Sequence, residues 1–180
     1  MADAHGQRAI REMVQQFLDQ HRVMTVAVAS KDGVPWASPV YYANRGLSLY
    51  WLTNPSRRMA SCLQENPRAV VCILGGSTEW QHLQGLQMEG SVHPVESPTE
   101  RFGAMRRYVK RYGSLAARLL SSARPGGAAG KLAGMRFYRF TPDRCWFTDN
   151  GRGFGHRVQL DLAPPSGAPF PTPHRRSPIA

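Results

Sequence analysis

Three short strand-forming runs joined by tight turns constrain the fold of this chain most. The runs cover 23–30, 35–43 and 47–53, and they are separated by Lys31-Asp32-Gly33 and Asn44-Arg45-Gly46. Short glycine-containing turns of this kind join neighbouring antiparallel strands. Further strand patterns follow at 69–74, 79–95, 136–140 and 144–148. The sequence therefore predicts an α+β, mainly β protein whose antiparallel sheet of six to seven strands closes into a small barrel with flanking helices.

Three segments have helical patterns. Apolar residues recur every three or four positions over 6–20. A short helix is predicted to open at Asn54-Pro55, where Asn caps and Pro fits the first turn, and to stop at Asn66-Pro67. Ser97-Pro98-Thr99-Glu100 is a capping box that begins a third helix. We expect that helix to bury Phe102, Met105, Val109 and Tyr112 and to expose Arg101, Arg106, Arg107, Lys110 and Arg111.

The length of 180 residues and the 42% hydrophobic content suit one domain, which we place at 1–160. Residues 161–180 hold six of the fourteen prolines and are predicted to form a loose tail. The sequence has no apolar run of eighteen residues and no signal pattern, so we expect no membrane partner. The three cysteines have no paired spacing, and we expect free thiols in the cytoplasm.

The net charge of +11 is concentrated in one segment. Residues 101–157 carry 13 Lys and Arg against 2 Asp and Glu, whereas the other residues carry 10 of each sign. Such a segment can attract nucleic acid, a membrane surface or a small anion, or it can simply be a solvated helix face. The absence of a nucleic-acid reading motif and of interleaved aromatic residues disfavours a nucleic-acid partner.

The segment Thr53-Asn54-Pro55-Ser56-Arg57-Arg58 is the first candidate site. A helix start offers free amide donors, Ser56 adds a hydroxyl, and the two guanidinium groups match phosphate oxygens. The alternative is an ordinary capped helix with two surface arginines.

Two other segments are candidates for ligand contact. Pro39 cannot donate a ladder hydrogen bond, so the strand at 36–42 is an edge strand or is interrupted there. Residues 146–157 combine aromatic residues and glycines with Arg152, His156 and Arg157, and a histidine can move protons near neutral pH. The alternatives are a bulged strand and a flexible loop. The histidines show no metal-ligand spacing, so no metal site is predicted.

The order of these motifs resembles a known family. The sequence reads Leu-Tyr-Trp-Leu-Thr-Asn-Pro-Ser-Arg-Arg-Met at 49–59, Asn-Pro-Arg-Ala-Val-Val at 66–71 and Gln-Met-Glu-Gly-Ser-Val at 87–92. It is similar here to the FMN-binding split barrels related to pyridoxamine 5′-phosphate oxidase, over about residues 8–158. The ending Phe-Thr-Asp-Asn-Gly-Arg-Gly-Phe-Gly-His-Arg at 147–157 further resembles a small bacterial subgroup of that family.

The resemblance implies a homodimer with two FMN sites at the subunit interface, each completed by both chains. It assigns the FMN phosphate to Ser56, Arg57 and Arg58, and the ribityl chain to Leu52 and Thr53. The remaining implied FMN contacts are Ser38, Pro39, Val40 and Tyr41 beside the isoalloxazine, Gln87 (with Gln84 as the alternative) and Asn150.

The resemblance also implies catalysis. The oxidase binds its substrate with residues in the region that holds Arg152, His156 and Arg157 here, but the spacing differs. The different spacing disfavours pyridoxamine phosphate as the substrate and does not exclude another anionic substrate. We expect these three residues to bind a small anionic substrate or stabilise reduced flavin in an FMN-dependent oxidoreductase. The alternatives are a non-catalytic flavin or haem carrier or sensor on the same fold, and a nucleic-acid-binding module that uses the basic segment.

Overall fold

The computed structural model describes residues 4–121 and 134–162, with the side chains of all of these except 114–121. The prediction of a loose tail falls mainly on residues outside this part. The helices are α1 (Ala4–Gln20), α2 (Arg58–Glu65) and α3 (Pro98–Ser121). The strands are β1 (Val23–Ala29), β2 (Pro35–Tyr41), β3 (Ala43–Arg45), β4 (Ser48–Thr53), β5 (Arg68–Leu74), β6 (Gln84–Pro94), β7 (Arg136–Asp149) and β8 (Arg157–Leu160). Single 3₁₀ turns lie at Trp80–His82 and Asn150–Arg152.

All strands belong to one antiparallel sheet in the order β2-β1-β5-β6-β7-β4-β3, and β8 also pairs with β7. The long strand β7 divides this sheet, because its residues 136–140 pair with β4 and its residues 145–148 pair with β8. Strands β2 and β3 lie at opposite ends of the order but are separated by one residue in the chain, so the sheet must curl round. This arrangement confirms the α+β split-barrel class.

The short strands β3 and β8 bring the count in the described residues to eight. They form where the sequence indicated a turn and a glycine-rich loop. Hydrogen-bonded pairing with longer neighbours, β4 and β7, extends strand structure into segments whose own patterns are weak.

The inner face of the sheet forms the main core with α1 and α2. Helix α1 contributes Val14, Phe17 and Leu18, and the ring of Phe17 meets Phe147 of β7 edge-on at 5.2 Å. Alternate residues of the strands complete this core, among them Val26, Val71, Leu86 and Met88. No helix among the described residues is long and apolar enough to cross a membrane.

Helix α3 packs on the outer face of β4 and β7 with a different side from the one predicted. Ala104 and Tyr112 are buried, whereas Phe102 is 66% exposed and Met105 and Val109 are also exposed. The small Ala104 lets the helix approach Tyr50 and Phe137 closely. The predicted burial was therefore correct for Tyr112 and wrong for Phe102, Met105 and Val109.

Arg111 fixes the position of α3 relative to α1. Its guanidinium donates to the Asn44 side-chain oxygen at 2.9 Å, to the Leu18 carbonyl at 2.6 Å and to the carbonyl of His21. It also lies over the ring of Tyr42, 5.1 Å from the centroid. Arg111 is thus a partly buried packing residue rather than the exposed cation that the sequence predicted.

Candidate functional site

The predicted anion-binding turn, residues 54–58, joins the end of β4 to the start of α2. The Asn54 side-chain oxygen accepts hydrogen bonds from the Ser56 amide and hydroxyl, both at 2.9 Å, and the Asn54 carbonyl accepts from the Arg57 amide at 3.0 Å. Helix α2 therefore begins at Arg58 rather than at Pro55. Asn54 does not cap the helix; its side-chain and carbonyl oxygens instead close a turn over Pro55 and Ser56, before the helix begins. Arg57 occupies the cap position with extended backbone and no side-chain capping bond.

The turn carries uncompensated positive charge. Ser56, Arg57 and Arg58 are all exposed, and neither arginine forms an ion pair with another residue in the described part of the chain. The guanidinium of Arg58 lies over the indole of Trp36, 4.6 Å from its centroid. Trp36 in turn donates from its indole nitrogen to the Ser38 hydroxyl at 2.9 Å. One cluster thus joins the turn to strand β2.

Strand β2 is an edge strand of the sheet, as Pro39 predicted. Its register against β1 pairs Trp36 with Val28 and Ser38 with Val26, so these side chains and that of Val40 face the barrel interior. Pro39 and Tyr41 lie on the outer face, and Tyr41 is 50% exposed. The edge of β2 beside Arg58 therefore offers both a polar and an aromatic surface.

The end of β4, to which the ribityl contacts Leu52 and Thr53 were assigned, is largely covered by the rest of the chain. Thr53 is buried, and Leu52 packs against the cluster under α3. Contacts from these two residues to a ligand would have to use the backbone or the Thr53 hydroxyl.

Gln87, on the central strand β6, and Arg157, on β8, both lie beside Trp146 on the outer face of the sheet. The exposed Gln87 pairs in register with Trp146, and the Arg157 guanidinium lies 5.1 Å from the centroid of the Trp146 ring. The alternative, Gln84, pairs with Asp149 at the start of β6.

Asn150 holds the loop after β7 in place. It donates from its side-chain nitrogen to the Trp80 carbonyl at 2.8 Å and from its backbone to the Leu83 carbonyl at 3.0 Å. Its side-chain oxygen accepts from the Gly155 amide at 3.0 Å. These bonds give Asn150 a scaffolding role that the sequence did not reveal.

The other predicted residues of this loop are exposed. Arg152 approaches Asp149 at 3.6 Å, and the backbone of His156 bonds to Gly153 and Asp149, both at 2.9 Å. The imidazole of His156 is left facing solvent.

A single chain does not bring the two groups of predicted site residues together. In the outer-face register, Pro39, Thr25, Cys72, Gln87, Trp146 and Gln159 follow one another from β2 to β8. Neighbouring strands are about 4.8 Å apart, so five spacings give about 24 Å of sheet between the two edges. The turn with β2 lies at one edge, and Trp146 with Arg157 lies near the other.

Of the three cysteines, Cys72 lies beside a predicted site residue, because it pairs in register with Gln87. All three are free; Cys62 and Cys145 are buried, and burial raises the pKa of the Cys145 thiol to about 12. The pKa of the half-buried Cys72 is also raised by burial. Among the described residues, no group of three or more His, Cys, Asp or Glu could hold a metal ion.

The curled antiparallel sheet, in which β7 pairs with β4 along one part and with β8 along another, is a split barrel. The family model described as pyridoxamine 5′-phosphate oxidase matches residues 10–149, and the chain belongs to that family. None of the curated proteins matches the sequence.

Solved structures share the fold at low sequence identity. A conserved hypothetical protein from Mycobacterium tuberculosis is 19% identical with a TM-score of 0.64, over 84% of this chain and 87% of the other. A haem-binding protein from Mycobacterium smegmatis is 18% identical with a TM-score of 0.65, over 83% of this chain and 56% of the other. An FAD-binding protein from Mesorhizobium loti is 20% identical with a TM-score of 0.56, over 73% of this chain and 88% of the other.

Proposed function

We propose that this protein binds FMN and acts as a flavin-dependent oxidoreductase on a small, anionic substrate. The observation that carries the proposal is the unpaired cationic turn at 56–58, which is joined through Trp36 to the edge of β2. A phosphate suits this turn because guanidinium groups and a hydroxyl donate to oxyanions, and no acidic side chain of the described residues competes for Arg57 or Arg58.

In this proposal some residues hold the phosphate of FMN and others orient its ring. Arg57 and Arg58 neutralise the phosphate, Ser56 donates its hydroxyl, and the edge of β2 from Ser38 to Tyr41 lies alongside the ring. The flavin supplies the redox chemistry, while the protein supplies orientation and electrostatics. In this proposal Arg152, His156 and Arg157 bind the substrate anion.

The distance between the two groups of residues supports a homodimer. A two-fold dimer that packs outer face against outer face, with its axis parallel to the strands, brings the β8 edge of one chain towards the β2 edge of the other. The outer-face row supports such packing because Thr25, Cys72 and Gln87 are uncharged and modest in size. Each FMN site would then combine one chain's turn with Gln87 and Arg157 of the partner subunit. We further propose a cytoplasmic location, which suits the three free thiols.

A second candidate is non-catalytic binding of a flavin or haem. It is supported by the haem-binding protein from Mycobacterium smegmatis, which shares the fold. The flavin is favoured because the turn supplies donors for its phosphate, whereas a haem iron needs a suitably placed axial ligand.

Titration of FMN into the purified protein tests the proposal. FMN fluorescence should be quenched, and Arg57→Ala with Arg58→Ala should weaken affinity by about 2 kcal/mol or more, which is about thirtyfold. Arg8→Ala is the matched control, because Arg8 is an exposed cation on α1 that pairs only with Glu12. Equal affinities in all three proteins would show that the phosphate is held elsewhere. Reduction of bound FMN by a nicotinamide donor would then separate an enzyme from a carrier.

A further inference from the structure

A cavity of about 790 Å³ lies between the β3–β4 hairpin, β7 and the first turns of α3. Ser48 lines this cavity at the start of β4, whereas the turn at 54–58 follows the end of that strand, so the two are separate. The five residue-to-residue steps from Ser48 to the end of β4 span about 17 Å. The apolar cluster that includes Leu52, Tyr108 and Phe137 occupies the surface of β4 and β7 under α3, next to Tyr50.

The cavity is lined by three cations and one anion. Arg45, Arg107 and Arg139 face a single carboxylate, that of Glu100, which leaves a formal excess of +2. Only Arg139 is ion-paired with Glu100, at 2.8 Å. Arg107 donates to the Gly103 carbonyl at 2.9 Å, and the guanidinium of Arg45 has no hydrogen bond or ion pair to another described residue. The lining therefore carries more positive charge than its own carboxylate neutralises.

A partly buried frame holds one wall of the cavity in a fixed geometry. The Tyr50 hydroxyl donates to Oε1 of Glu100 at 3.0 Å, and Arg139 donates to the same oxygen. Tyr50 is only 4% exposed, and its burial, together with the bond to Glu100, raises its pKa. Glu100 contacts only Nη1 of Arg139, whose side chain is 39% exposed, so within the described residues the Nη2 donors of this guanidinium have no protein partner.

The rest of the lining is also suited to oxyanions. Ser48, Ser97, Thr99 and Thr141 supply hydroxyl groups, and the ring of Tyr50 supplies the one large apolar surface. Hydroxyl and guanidinium donors bind phosphate and carboxylate oxygens, and several donors on one ligand select for more than one negative charge.

We propose that this cavity is a second binding site, for a small hydrophilic anion that carries at least two negative charges on phosphate or carboxylate groups. Arg45 and Arg107 bind the ligand directly, and Glu100 with Tyr50 positions Arg139 as the third donor. Two charges on the ligand balance the excess of the lining. The site does not depend on FMN binding, because no residue of the turn at 54–58 contributes to it.

Isothermal titration calorimetry on the full-length, FMN-loaded protein tests the site, with pyrophosphate and citrate as separate probes. At least one probe should bind, and which one binds more tightly distinguishes phosphate from carboxylate ligands. Arg45→Ala and Arg107→Ala should each weaken binding at least tenfold. Arg106→Ala is the matched control, since Arg106 is the exposed neighbour of Arg107 on α3 and does not line the cavity.

The phosphate turn must be separated from the cavity in this experiment. The double variant with Arg57→Ala and Arg58→Ala should keep its affinity for the probe. Titration of this variant tests the cavity even if the wild-type protein takes up no FMN. The site is overturned if neither probe gives a binding signal at millimolar concentration. It is equally overturned if Arg106→Ala weakens binding as much as Arg107→Ala, or if binding disappears with Arg57 and Arg58.

Discussion

The guanidinium of Arg58 lies over the indole ring of Trp36, 4.6 Å from its centroid, and so joins the first residue of α2 to the edge strand β2. A cation held over an aromatic face has fewer accessible positions than a free surface arginine. The contact therefore places one phosphate-binding cation beside the strand along which we propose the flavin ring lies.

Replacement of Trp36 tests this positioning. Trp36→Ala should weaken FMN affinity by about 0.5–1 kcal/mol, or about two- to fivefold, because an exposed cation–π contact contributes about that much. Trp36→Phe should retain most of the affinity. Fluorescence titration with FMN measures both, and Trp80→Ala is the control because Trp80 is 57% exposed and lies in the turn before β6. An unchanged affinity in Trp36→Ala would remove Trp36 from the site.

The outer face offers a test of the proposed dimer. Gln87→Arg introduces a charge in the middle of the row from Pro39 to Gln159, where desolvation of an unpaired charge is costly. We expect dimer dissociation to become at least tenfold easier, with a parallel loss of FMN affinity. Light scattering across a dilution series measures the first effect, and Gln64→Arg on α2 is the exposed control. A stable dimer in Gln87→Arg would place the interface on another surface.

Gly90 lies at the irregularity between β6 and β7, where no side chain fits. A Cβ at this position would lie 2.1 Å from the Thr141 carbonyl oxygen and 2.9 Å from the Phe140 ring. Gly90→Ala should therefore lower the free energy of unfolding by about 3 kcal/mol, at the upper end of overpacking effects. Urea unfolding measures the loss, and Gly76→Ala should change it little because no atom lies within 4 Å of its added Cβ. A tolerated Gly90→Ala would mean that β7 can shift away from β6.

Tyr42 makes stability depend on alkaline pH. Its ring is fully buried, its hydroxyl donates to the Leu18 carbonyl at 2.9 Å, and burial raises its pKa above the ordinary value of 10.0. The folded state thus favours the neutral phenol, so the stabilisation is complete below pH 10 and is lost as the pH rises further. Urea midpoints should be flat from about pH 7 to 9 and fall above pH 10.

Tyr42→Phe separates this effect from general alkaline denaturation. The variant should lose about 1 kcal/mol at pH 7, because the Leu18 carbonyl loses its donor, yet its stability should fall less steeply above pH 10. An identical slope in both proteins would assign the alkaline loss to other buried tyrosines.

The sequence predicted local structure well where the signal was local. Asn54-Pro55 and Asn66-Pro67 bracket α2, and Pro39 marks β2 as an edge strand. The detailed start of α2 at Arg58 was missed because an Asn side chain can close a turn as readily as it caps a helix.

Features that depend on distant contacts could not be predicted. The buried side of α3 is set by the shape of Tyr50 and Phe137, so the apolar stripe at Phe102, Met105 and Val109 was misleading. The scaffolding role of Asn150 depends on carbonyls about seventy residues earlier.

The cavity between the β3–β4 hairpin, β7 and α3 was missed for the same reason. Arg45, Arg107 and Arg139 are widely separated in the chain, and only the packing of α3 across β4 and β7 brings them together. Arg107 and Arg139 belong to the basic segment 101–157, which the sequence indicated as able to attract a small anion. Arg45 lies in the Asn44-Arg45-Gly46 segment, where nothing indicated a ligand.

The absorbance spectrum of the full-length protein during titration with FMN, and separately with haem, decides whether the chain binds a flavin. We expect a perturbed flavin spectrum that saturates at one FMN per chain, and a loss of at least about thirtyfold in affinity when Arg57 and Arg58 are both replaced by alanine. No change in the flavin spectrum, together with a saturable Soret band on addition of haem, would contradict flavin binding.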